Sequence, residues 1–125
     1  MATCHLDARL AQEIVARTMK IIDGNVNVMD ARGRIIGSGD RERIGELHEG
    51  ALLVLSQGRI VDIDDAVARH LHGVRPGINL PLRIDGAIVG VIGLTGEPGA
   101  LRHYGELVCM AAEMMLEQAR LLHML

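Results

Sequence analysis

The sequence predicts an α+β fold, one antiparallel sheet with helices at both ends of the chain. Three observations carry this. Residues 76–98 read as two strands joined by Asp85-Gly86, which suits a tight type I′ turn because both central residues take positive φ. Residues 25–38 read as a second hairpin, NVNVMD and RIIGS around Ala31-Arg32-Gly33. Helical patterns lie outside these hairpins, at residues 5–22 and 100–125 and in the stretch between. Strands joined by hairpins pair antiparallel, with the helices packed on the sheet faces.

Composition bounds what the chain can do. Its 125 residues suit one domain, and 49% hydrophobic against 23% charged residues predicts a folded core. A net charge of −3 and a lone aromatic, Tyr104, argue against this chain binding nucleic acid by itself. The longest apolar run, residues 51–55, is far short of the ~20 residues of a membrane span. The start MATCHLDARL carries no signal-peptide pattern. The expectation is a reduced, cytoplasmic protein with Cys4 and Cys109 as free thiols.

The first helix, residues 5–22, places Leu6, Leu10, Ala11, Ile14, Val15, Thr18 and Ile22 on one stripe, and Asp23-Gly24 should end it. In the first hairpin Val26 and Val28 share one side. Its exit reads GSGDRERIGELHEGA. A helix is expected near Asp40 or Arg41, capped by Asp40 or Ser38, and amides at such a start bind carboxylates. Arg41, Arg43 and His48 follow, although charges on a short helix are usually solvated. No phosphate-binding loop pattern is present.

Residues 46–57 read as an apolar helix, with Leu47, Ala51, Leu52, Val54 and Leu55 mainly core and Gly58 as its stop. RIVDI is a short strand. Asp64 caps a short helix, and His70 and His72 then flank Leu71 without a thiol or carboxylate at metal-ligand spacing, so no metal or cofactor site is predicted. In the central hairpin, pairing Ile84 with Ala87, Leu82 with Val89 and Leu80 with Val91 gives one plain core face. The other face carries Asn79, Pro81, Arg83, Ile88, Gly90, Ile92 and Leu94. Asn79 puts an amide into it. Gly90 either relieves crowding or marks a bulge, or it opens the sheet to a ligand. The last helix is apolar over too wide an arc for one sheet face, which predicts a homodimer on the terminal helices. It also stops inside its apolar pattern, as a fragment of a longer protein would. The resulting layout is a PAS- or Cache-like sensor. One sheet face packs on the terminal helices, and a helical insertion over residues 40–72 covers a ligand pocket on the other.

The runs MDARGRIIGSGDRERIGELHEGALLVLSQGRIVDID and GINLPLRIDGAIVGVIGLTGEP resemble the sugar diacid recognition domain, over essentially the whole chain. That domain is the N-terminal sensory part of bacterial carbohydrate diacid regulators. The resemblance implies a single ligand-sensing domain over residues 1–125, with DNA bound by a C-terminal helix-turn-helix region absent from this chain. It implies a sugar diacid or hydroxy acid as ligand, such as glucarate, galactarate or glycerate. The family's motif positions fall on Ser38, Arg43, Ile44, Gly45, His48, Asn79, Pro81, Gly93 and Thr95.

A diacid has two carboxylates and several hydroxyls, so it needs cationic groups, amide donors and hydroxyl partners. Arg43 is the expected charge partner, with Ser38, His48, Asn79 and Thr95 as hydrogen-bond partners. Two other readings stay open. A small hydrolase would use Ser38 and His48, although no third residue that would orient them is evident. A dimerisation module would bind no diacid.

Overall fold

The computed structural model describes residues 6–71 and 74–124. The expectations for Cys4 and for the His70–His72 pair therefore fall outside the described residues. The chain runs α1 (Ala8–Thr18), β1 (Val26–Asp30), β2 (Ile35–Ser38), a single 3-10 turn (Arg41–Arg43) and α2 (Glu49–Gln57). It continues through β3 (Val61–Ile63), α3 (Asp65–Ala68), β4 (Gly77–Ile84), β5 (Ala87–Thr95) and α4 (Pro98–Met124). The strands form one antiparallel sheet in the order β2-β1-β5-β4-β3.

Helices α1 and α4 cover one face, where Ile14, Val15 and Leu116 meet Val26, Val28, Leu80, Leu82 and Ile92. On the other face Ala51 and Val54 of α2 pack over Met29, Ile35, Ile63 and Val91.

Local chemistry sets most boundaries. Asp7 caps α1 by accepting the Leu10 N–H at 2.8 Å. The helix ends at Thr18 instead of running to Asp23. The next amides bond three residues back, Lys20 to Arg17 and Ile21 to Thr18, in a segment where β-branched Thr18, Ile21 and Ile22 favour helix weakly. Gly58 ends α2 in the left-handed region at φ +67°, and Asp64 caps α3. Asp85 and Gly86 sit at φ +50° and +82°, the two positive angles a type I′ turn requires.

The hairpin register departs from expectation after the second pair beyond that turn. Ile84 pairs with Ala87, but Leu82 pairs with Gly90 and Leu80 with Ile92. Val89 is the extra residue of a bulge, and one extra residue moves the following side chains to opposite faces. Ile92 and Leu94 therefore join Leu80 and Leu82 in the core under the terminal helices. Gly90 also turns away from the α2 face. A Cβ there would lie 2.5 Å from Leu6 and 2.6 Å from the Met29 carbonyl. Close packing, not a ligand, is what Gly90 serves.

Strand β3 covers β4 only as far as Asn79. Beyond it, α4 seals the strand edge. The Cys109 thiol donates to the Pro81 carbonyl at 3.1 Å, and Glu113 accepts the Arg83 N–H at 2.6 Å. Arg102 pairs with Asp62 of β3, and Arg120 lies 3.6 Å from Asp85. Proline suits such an edge because it has no N–H to leave unpaired.

Candidate functional site

One row of residues crosses the whole sheet. Ser38 on β2 pairs with Asn27 on β1, and Asn27 with Gly93 on β5. Gly93 pairs with Asn79 on β4, and Asn79 with Val61 on β3. Opposed residues of antiparallel strands share a face, and this row lies on the face covered by α2.

Three of these side chains are polar and nearly sealed, with Ser38 at 0%, Asn27 at 3% and Asn79 at 4% exposure. Buried polar groups need partners. The Ser38 hydroxyl donates to the Asn27 side-chain oxygen at 2.6 Å and accepts the Asp40 N–H at 3.0 Å. The Asn25 amide also donates to that Asn27 oxygen, at 3.1 Å. Gln12 of α1 holds the Ser38 backbone with its one side-chain amide, donating from Nε2 to the carbonyl at 3.1 Å and accepting the N–H on Oε1 at 3.0 Å. The Asn79 amide, by contrast, makes no hydrogen bond to any described residue.

Gly93 stands between the two asparagines. A Cβ on it would lie 2.7 Å from the Asn79 Oδ1. This missing side chain leaves the floor of a small cavity bounded by Asn27, Asn79, Gly77 and Thr95. His48 forms its wall, and Arg43 and Arg75 stand at its rim. The space between these groups is about 10 Å³, roughly that of one water molecule.

His48 is the N-cap of α2. Its Nδ1 accepts the Ala51 N–H at 3.0 Å, which leaves the ring proton on Nε2. Burial, and then the Arg43 charge, lower its pKa to about 4 against a weaker opposing pull from Glu49. The ring is therefore neutral at pH 7. Gly50 lets it approach the sheet. A Cβ at Gly50 would lie 2.9 Å from His48 Cε1 and 3.0 Å from the Asn79 Nδ2. The Arg43 side chain is 12% exposed, with its Nε 3.5 Å from a Glu46 carboxylate oxygen. The site combines neutral asparagine amides from the sheet with Arg43 and Arg75 among its lining residues, which offers partners to hydroxyls and to carboxylates.

Of the residues expected from sequence, Arg43, His48, Asn79, Gly93 and Thr95 line this cavity. Ser38 does not. It acts one step back, by orienting Asn27. Ile44 is 43% exposed in extended backbone. Gly45 reverses the chain at φ +96°, and its N–H donates to the Ile35 carbonyl at 2.8 Å, so the following residues run beside β2. Pro81 sits farther along β4, at the edge sealed by α4.

The helix expected from Asp40 is only the 3-10 turn, because Ile44 and Gly45 leave helical angles. The long helix starts three residues later than expected, at Glu49 after its His48 cap, and Leu47 and Leu52 are exposed instead of core. No long-helix N-terminus therefore stands at residues 40–41. Sequence reasoning missed Asn27, Gly50, Gly77 and Arg75. Asn27 had a signal, since it alternates with Val26 and Val28 and so faces away from their core. Gly50 lies inside the HEGA motif. Arg75 had none.

A family model described as "Putative sugar diacid recognition" matches residues 6–125. The chain belongs to the sugar diacid recognition family. The Carbohydrate diacid regulator of Escherichia coli (strain K12) is 83% identical over 125 residues, which is all of this chain and 32% of that protein. The chain thus spans about a third of the length of this curated relative.

Among solved structures, the GAF domain of an Acinetobacter phosphoenolpyruvate-protein phosphotransferase superposes with a TM-score of 0.66 at 12% identity, covering 96% of this chain and 88% of that one. A type II free methionine-R-sulfoxide reductase from Thermoplasma acidophilum gives a TM-score of 0.67 at 15% identity, covering 88% and 89%. These likenesses show the fold alone. This sugar diacid recognition domain is GAF-like, a relative of the PAS layout. Because the GAF domain of a phosphotransferase and a reductase share the fold, function has to be argued from the site.

In this domain the Ser38 hydroxyl is committed to Asn27, and Nδ1 of His48 to Ala51, so the two do not form a nucleophile–base pair. Among the described residues no three His, Cys, Asp or Glu side chains gather as metal ligands, and no helix is long and apolar enough to cross a membrane.

Proposed function

We propose that this chain is the ligand-sensing domain of a bacterial transcription regulator. It binds a sugar diacid or related hydroxy acid, such as glucarate, galactarate or glycerate, in the cavity over Gly93. Ligand then controls genes for uptake and breakdown of that acid. The observation that carries this reading is Asn79, an amide at 4% exposure beside an open glycine position, with no partner among the described residues. Its amide opens on the cavity and not on another side chain, so a ligand hydroxyl can pair with it. Arg43 and Arg75 at the rim supply cationic partners for two carboxylates. The family, and the name of the relative at 83% identity, support the same ligand class.

The domain senses and does not catalyse, and DNA is read by another part of the regulator, in keeping with the net charge of −3 here. The working form is a homodimer joined through the terminal helices. With about 10 Å³ between its walls, the cavity admits a six-carbon acid only if its lining side chains move apart. This tightness favours one alternative, a dimerisation module that binds no acid.

Calorimetry and thermal melts with glucarate, galactarate, glycerate and succinate separate the two. A sensor gains stability with ligand concentration, and Asn79→Leu weakens the effect. No shift with any acid at ~10 mM would leave the dimerisation module standing.

A further inference from the structure

Helix α4 carries two seams. The inward one, Leu101, Gly105, Ala112 and Leu116, is buried against the sheet. The outward one is Tyr104, Leu107, Ala111, Met114, Gln118 and Leu121, every one of them exposed. Their spacing alternates three and four residues throughout, the repeat by which one helix packs along another. A globular surface needs no such period. The five charged residues of α4, Arg102, Glu106, Glu113, Glu117 and Arg120, all fall off this seam.

The outward seam borders a groove of about 880 Å³ between α1 and α4, whose other wall includes Ile14 and Thr18 of α1 and Ile21 just beyond that helix. Ile21 is 84% exposed, Leu107 60% and Met114 63%. Together with Tyr104, Met110 and Leu121, these side chains expose on the order of 600 Å². That is the upper end of what a lone monomer shows and most of the ~800 Å² one partner gives a standard interface.

We infer that the occupant of this seam is α4 of a second copy of this chain, packed parallel about a two-fold axis. The inference rests on the homodimer reading and gives it a register. A parallel two-fold pairing sets each seam residue opposite itself, so any charged residue there would face its like. None of the six is charged. Gln118 faces Gln118, and two side-chain amides can donate and accept reciprocally. A single polar layer in an apolar seam fixes register and strand number.

The test uses the chain itself. Sedimentation at ~50 µM should show a dimer, and Met114→Glu should raise its dissociation constant at least tenfold while the far-UV spectrum and thermal melt stay those of a folded chain. In a Cys4→Ser, Cys109→Ser background, Gln118→Cys should form an interchain disulfide under mild oxidation, and Glu106→Cys, off the seam, should not. Monomer at all concentrations would overturn both the seam and the homodimer. A dimer that tolerates Met114→Glu and cross-links no better through position 118 than through 106 would overturn the seam alone and move the interface elsewhere.

Discussion

Gly93 and Asn79 face each other across β4 and β5 so closely that a methyl group on Gly93 would sit 2.7 Å from the Asn79 side-chain oxygen. The glycine is there for side-chain reasons, since its backbone angles are ordinary for a strand and it is absent from the positive-φ positions. It leaves room for an amide, and the amide is left available. Gly93→Ala should therefore push the Asn79 side chain aside more than it harms the sheet. Diacid affinity should fall at least tenfold in calorimetry, while the melting temperature moves by only a few degrees. Unchanged affinity would place the ligand away from this row.

The two rim arginines should be separable by ligand. A charge-assisted hydrogen bond contributes about 1.5–3 kcal/mol. Arg43→Ala and Arg75→Ala should each weaken binding of a diacid by roughly ten- to a hundredfold. Arg43→Lys should recover only part of the loss, because an ammonium lacks the planar fork. Glycerate has one carboxylate, so its affinity should depend strongly on one arginine and weakly on the other. Calorimetry of both ligands against both variants reads this directly.

His48 should make stability fall in acid. Its pKa is about 4 in the folded chain against 6.5 ordinarily, lowered by burial and then by Arg43, with Glu49 opposing. The unfolded chain takes up this proton first as pH drops. The contribution is thus complete above pH 6.5 and is lost as pH falls toward 4. The full amount is on the order of 3 kcal/mol. Urea unfolding at pH 7 and pH 5 measures the slope. His48→Asn keeps an acceptor for the Ala51 N–H and should flatten it. A slope unchanged in that variant would assign the acid sensitivity to other groups.

Ser38 should matter to stability before it matters to ligand. Removing its hydroxyl in Ser38→Ala deprives the Asp40 N–H of its acceptor and leaves Asn27 held by Asn25 alone. The expected loss is about 1–3 kcal/mol in denaturant unfolding. Diacid affinity should change less than for Asn79→Leu. The reverse order of effects would return Ser38 to direct ligand contact.

The sequence by itself determined the features whose causes lie within a few residues. Asp85-Gly86 and Gly58 supply positive φ where a turn and a helix end need it, and Asp64 caps its helix. Two hairpins then imply an antiparallel sheet, and the motif from Ile35 to Ala51 contributes Arg43 and His48 to the candidate site. Only the tertiary structure decided what shares a face. The bulge at Val89 comes where Gly90 meets Leu6 and the Met29 carbonyl, both far away in sequence. That one residue reverses the facing of Val91, Ile92, Gly93 and Leu94. The row from Ser38 through Asn27 and Gly93 to Asn79 joins four strands whose mutual register no local pattern encodes. Turn and cap energies act over neighbouring residues, whereas strand register is fixed by which side chains can be buried together. That requires every strand to be in place at once.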